Sequence, residues 1–168
     1  MVNTLPLDND EFSNIIKRHR GLILKICYSY CRHPDKRKDL EQEILMNLWH
    51  SFRRYDGRVK LSTWIYTVSL NTAISFFRKD ARHQHAVEIT ESIVSGVPDD
   101  NIQDDNIRRL YQYIGGLNEM DRALMLLYLD DRTYREIAEI MGISETNVGT
   151  KLSRIKNSLK ESLKTFKM

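Results

Sequence analysis

At 168 residues and 19.8 kDa the chain has room for one domain or two small ones, and 41% hydrophobic with 29% charged residues excludes a fibrous or wholly disordered polymer. Its longest apolar run, Ala123 to Leu129, is seven residues, far below the roughly 20 of a membrane span. Two Cys exclude a disulfide framework and point to the cytoplasm. The opening MVNTLPLDNDEF has neither the basic nor the apolar segment of a secretory signal. The net charge of +3 is unevenly spread: residues 1–82 carry +6, residues 83–107 carry −6 with no Lys or Arg, and residues 108–168 carry +3. The acidic strip also holds Ser92, Ser95, Gly96, Pro98 and Asn101 without apolar periodicity. It reads as a linker, because structureless loops beyond about 12–15 residues are uncommon inside compact domains. This divides the chain into 1–82, a linker at 83–106, and 107–168.

Few Gly and Pro and no sustained period-two alternation predict an all-α fold. Phe12, Ile15, Ile16, Leu22, Ile23, Ile26, Cys27 and Tyr30 step at helical spacing until His33-Pro34-Asp35, where Pro disfavours helix at the residue before it. Leu40, Ile44, Leu45, Leu48, Trp49 and Phe52 form a second pattern, with Asp39, Glu41, Glu43, Asn47 and His50 on its far face. Tyr55-Asp56-Gly57-Arg58 is a turn. A third helix is expected from Ser62 as N-cap through Trp64, Ile65, Val68, Ala73, Ile74 and Phe77 to the basic run Arg78-Lys79-Asp80-Ala81-Arg82. Beyond the acidic strip, Ile107 to Ile114 predicts a short helix stopped by Gly115-Gly116. Asn118 is placed to cap the next, with Asp121 as its partner. Ala123 to Leu129, apolar nearly all round, predicts a buried helix.

The most informative stretch follows. Tyr134, Ile137, Ala138 and Met141 predict a short amphipathic helix that ends at Gly142, a residue able to take a left-handed C-cap without strain. Ser144 caps a second helix whose core stripe is Val148, Leu152, Ile155 and Leu159. A small residue, then Gly four later, then a β-branched residue six beyond it, is the steric pattern of a helix-turn-helix. The opposite face presents Thr146, Asn147, Thr150, Lys151, Ser153, Arg154 and Lys156. Lys and Arg can neutralise phosphate, while Asn, Thr and Arg can reach base edges in a major groove.

Both blocks resemble one family. DLEQEILMNLW (Asp39 to Trp49) and STWIYTVSLNTAISFFRK (Ser62 to Lys79) are similar to two helices of bacterial RNA polymerase sigma factors of the small, extracytoplasmic-function type. LNEMDRALMLLYLDDRTYREIAEIMGISETNVGTKLSRIK resembles that family's promoter-binding helix-turn-helix. The resemblance implies two small helical domains, the first sigma region 2-like and the second sigma region 4-like. It implies a protein that is not an enzyme, needs no cofactor or metal, and binds core RNA polymerase and promoter DNA. An anti-sigma factor is a further implied partner, and no membrane insertion of its own is expected.

By the same resemblance, Asp39, Gln42, Glu43, Leu48 and Trp49 match the helix that docks on core polymerase, with Leu48 and Trp49 equally readable as core. Tyr55 to Leu61 matches a loop that captures a flipped minus-ten base, which makes Tyr55, Lys60, Ser62 and Trp64 candidates. Trp64 also reads as core. Asn71 matches a DNA-facing position, and Arg78, Lys79 and Arg82 are placed to hold phosphates, although a basic helix end also complements the macrodipole. The seven residues from Thr146 to Lys156 named above would read the minus-thirty-five element. Three positions depart from the family pattern: Leu70 where Arg is frequent, Ser75 where Asp is frequent, and Gly149 where Lys is frequent. Cys27 and Cys31, at i and i+4, read as apolar packing in preference to a metal or redox pair. A free-standing helix-turn-helix regulator and a helical adaptor remain the competing functions.

Overall fold

A computed structural model describes residues 9–87 and 104–165. Seven helices account for them: α1 (Asn9–Tyr30), α2 (Pro34–Phe52), α3 (Leu61–Val87), α4 (Asp105–Gly116), α5 (Glu119–Leu129), α6 (Tyr134–Met141) and α7 (Glu145–Thr165). No strand occurs among the described residues. Two compact units divide between Phe76 and Phe77, inside α3. The expected linker lies mostly outside the described residues; α3 runs on through Val87, and α4 begins at Asp105.

In the first unit α2 contributes a straight row, Leu40, Ile44, Leu48 and Phe52, all buried. Spacing of four keeps that row on one side of a 3.6-residue helix. Buried in the same unit are Ile15, Ile23, Ile26, Cys27 and Tyr30 of α1 and Ile65, Tyr66, Leu70, Ala73 and Ile74 of α3. Each Leu, Ile or Phe side chain so buried contributes about 1.5–3 kcal/mol. Pro34 does more than end α1: it stands at the first position of α2, where its missing N–H costs nothing. Ser62 is not the cap of α3. The carbonyl of Lys60 accepts the first helical bond from the Trp64 N–H at 3.0 Å, which places Ser62 within the first turn. Asn47 Nδ2 donates to Thr72 Oγ1 at 2.9 Å, tying α2 to α3 by a polar link at the edge of the core.

In the second unit α5 is the central element, with Ala123, Leu124, Met125, Leu126 and Leu127 all buried and only its end, Leu129, exposed. Asn118 caps it as expected: its Oδ1 accepts from the Asp121 N–H and its Nδ2 donates to Asp121 Oδ2, both at 2.9 Å. Gly115 and Gly116 do not stop α4 before them; the helix includes both and ends at Gly116, with Leu117 as its C-cap. Arg122 is buried, and its Nη2 donates to the carbonyls of Gly115 at 2.8 Å and Leu117 at 2.9 Å. One guanidinium thus satisfies carbonyls left over where α4 ends. Tyr113 of α4 donates its hydroxyl to the Ile155 carbonyl of α7 at 2.9 Å.

Candidate nucleic-acid interface

The α6–α7 pair is set by its caps. Thr133 and Glu136 form a full capping box: the Thr133 hydroxyl accepts from the Glu136 N–H at 3.1 Å, and Glu136 accepts from the Thr133 N–H at 2.9 Å. The Thr133-x-x-Glu136 spacing carries this signal in the sequence, but it was not among the expected caps. Gly142 takes φ 66° and ψ 33°, the left-handed C-cap, and the Ile143 N–H returns to the Ala138 carbonyl at 3.2 Å. Ser144 Oγ accepts from the Asn147 N–H at 3.1 Å, opening α7. Ile137 and Ile140 of α6 are buried with Val148, Leu152 and Ile155 of α7. Ile140 was missing from the expected stripe, and Tyr134, expected within it, is exposed. Tyr134 stands at the first position of α6, where its ring leans over Gly149 of α7.

This geometry turns Thr146, Asn147, Thr150, Ser153 and Arg154 to solvent on one face of α7. Thr150 Oγ1 donates to the Thr146 carbonyl at 3.0 Å, leaving its oxygen as an acceptor toward that face. Lys151 is half-buried at the edge and, with Arg154, lines an open groove of 670 Å³ that Glu119 and Asp121 also line. Lys156 differs from the other six candidates. Its Nζ lies 4.0 Å from the centroid of the Tyr128 ring, and a hydrogen bond with Tyr128 raises its pKa above the ordinary lysine value. A cation held over an aromatic face is engaged within the unit.

On α2, Asp39 and Gln42 are exposed and Glu43 is half-buried. Leu48 is 0% exposed. It supports that face from behind and does not lie on it. Trp49 is half-buried, edge-on to Phe12 at a centroid distance of 5.0 Å.

The loop from α2 to α3 is held by its own side chains. The Tyr55 hydroxyl donates to the Val59 carbonyl at 2.6 Å, and its ring stacks 5.2 Å from that of Trp64, which in turn lies 6.0 Å from Phe52. Asp56 accepts from the Arg58 N–H at 3.1 Å and pairs with Arg58 Nε at 3.0 Å, while Gly57 takes φ 75°. Tyr55 and Trp64 are therefore half-buried supports as well as candidates, whereas Lys60 is exposed and Ser62 half-buried. Along α3, Asn71, Ser75, Arg78, Lys79 and Arg82 form one exposed row. Leu70 is in the core, so no residue at that position of this backbone contributes to the row. Arg78 Nε pairs with Glu119 Oε1 at 2.8 Å, and that hydrogen bond holds the Glu119 carboxyl below its ordinary pKa. A phosphate reaching Arg78 has to compete with that carboxylate.

Region 2 of the sigma-70 family matches residues 15–83, and region 4 of the same family matches residues 107–159. The ECF RNA polymerase sigma factor SigM of Bacillus subtilis is 31% identical over 152 residues, spanning 87% of this chain and 91% of that protein. The chain belongs to the sigma-70 family. Like its ECF relatives, this sigma factor acts in transcription initiation and directs RNA polymerase to promoters; a free-standing regulator is not favoured. SigW of the same organism is 26% identical over 170 residues, covering 94% and 91% of the two chains. The fold is shared with the sigma factor RpoE solved in complex with the anti-sigma factor NepR from Bartonella quintana, at a TM-score of 0.75 and 23% identity, covering 92% of this chain and 97% of that one. Among the described residues no helix is long and apolar enough to cross a membrane.

Proposed function

We propose that the two family regions divide the work of this sigma factor. The first, within residues 1–82, docks on core polymerase through Asp39, Gln42, Glu43 and Trp49. It engages the minus-ten element through the Tyr55–Leu61 loop and the exposed row Asn71, Arg78, Lys79 and Arg82. The second, residues 107–168, reads duplex minus-thirty-five DNA with Thr146, Asn147, Thr150, Lys151, Ser153 and Arg154, and residues 83–106 connect the two. The protein acts by binding and performs no catalysis, and it works in the cytoplasm with its polymerase. The observation that carries this reading is the outward hydrogen-bonding and basic face of α7, seated by the left-handed Gly142 turn. A regulatory anti-sigma partner is supported by likeness to the sigma factor RpoE, solved with the anti-sigma factor NepR; the fold is also that of CnrH, solved in complex with the cytosolic domain of CnrY.

The test is run-off transcription with bacterial core polymerase and genomic DNA of the source organism. Discrete starts that share upstream motifs and depend on the protein are expected. Sequence-specific DNA binding by the protein alone, without new starts, overturns the reading.

A further inference from the structure

The outward line of α2 runs Asp39, Glu43, Met46 and His50, at steps of four, three and four, with Gln42 beside it. On a 3.6-residue helix these positions share one face, opposite the buried row Leu40, Ile44, Leu48 and Phe52. Met46 is 59% exposed, the most exposed large apolar residue among those described. A lone exposed apolar side chain carries little meaning. This one stands at the middle of a face whose other members are two acids, an amide and a histidine, and Trp49, one turn on, is half-buried beside it. An apolar centre within a polar rim is the anatomy of a protein interface. Methionine, unbranched and polarisable, suits such a centre because it adapts to the surface it meets. Leu48, a candidate on sequence grounds, is sealed in the core and cannot take that place.

We infer that Met46 is the apolar anchor with which α2 docks on core polymerase. The inference rests on the docking role proposed above for this helix. The occupant is a basic helical surface of the polymerase with an apolar notch: its cations meet Asp39 and Glu43 while the Met46 thioether enters the notch. A continuous acidic face alone would give attraction without register, and Met46 supplies the register.

The test measures the affinity of the full chain for core polymerase, by competition against a labelled wild-type chain, for Met46→Leu, Met46→Ala, Met46→Lys and the double variant Asp39→Ala/Glu43→Lys. Thermal unfolding of each free variant is followed in parallel. Met46→Ala is expected to lose about ten-fold in affinity and Met46→Lys more, with Met46→Leu within about three-fold and unfolding temperatures unchanged. Wild-type affinity for Met46→Lys beside a weakened double variant overturns the anchor but leaves α2 as the docking helix. Wild-type affinity for all four overturns both. A loss in Met46→Leu equal to that in Met46→Lys, or a matching loss of thermal stability, assigns Met46 to folding and also overturns the anchor.

Discussion

Cys27 shows how environment decides what a residue can do. It is 1% exposed, and burial, reinforced by the nearby Glu41 and Cys31, pushes its thiol from an ordinary 9.0 to about 12. The thiolate is the reactive form. Native protein at pH 9 is therefore expected to resist iodoacetamide at Cys27, with labelling appearing only on unfolding; mass spectrometry of native and urea-treated samples checks this. The sign is that of a raised acid pKa: the protonated thiol suits the fold below pH 9, and that contribution is lost as pH rises through about 12. Two glycines ten residues or less apart give opposite expectations. Gly142 has φ 66°, so Gly142→Ala should cost about 1–2 kcal/mol from left-handed strain. Gly149 is helical, and an added Cβ would meet the Tyr134 ring at 3.5 Å, an ordinary contact. Gly149→Ala should then gain up to about 0.8–1.0 kcal/mol. Chemical denaturation of both variants reads the difference, and a loss at Gly149 would show that the Tyr134 ring cannot yield.

Among the elements, α7 is the one whose faces separate most clearly. Lys151→Ala and Arg154→Ala should each weaken binding to the mapped minus-thirty-five duplex and lower the salt-dependence slope by about one. Lys156→Ala should change that slope least, because its ammonium is held over Tyr128. Anisotropy titrations at several salt concentrations check all three; equal slopes for Lys151→Ala and Lys156→Ala would contradict the division. Helical existence was legible in the sequence, as were the caps at Asn118, Gly142 and Ser144, since the 3.6-residue period and these cap signals are local; the caps at Asp104 and Thr133 were equally local but were not among the expectations. What was not legible depends on the neighbour across the core. Periodicity places Leu48 and Trp49 on adjoining sides of α2 but cannot say that the first is sealed while the second, beside Phe12, stays half-buried. Leu70 was readable as a missing cation; only packing shows that its position points inward. The tyrosine that detains Lys156 belongs to α5, 28 residues upstream, and no pattern within α7 announces it.

For the whole molecule, division of labour makes a prediction that neither region makes alone. Asp39→Ala/Glu43→Lys should abolish protein-dependent starts at every promoter, because it acts before any sequence is read. The α7 variants should keep polymerase affinity and lose starts in proportion to each promoter's reliance on its minus-thirty-five element. Run-off on a set of promoters together with polymerase binding separates the two; an α7 variant that fails to bind polymerase would mean that face has been wrongly assigned.

The buried Arg122 carries one more consequence. Its single guanidinium ties down the carbonyls of Gly115 and Leu117 where α4 gives way to α5. Lysine brings a point charge in place of a planar fork, and any apolar residue removes both bonds, at a cost of about 0.5–1.5 kcal/mol each. In a saturation mutagenesis scan, the least tolerant position of the second unit outside its apolar core should therefore be a charged residue that touches neither DNA nor polymerase.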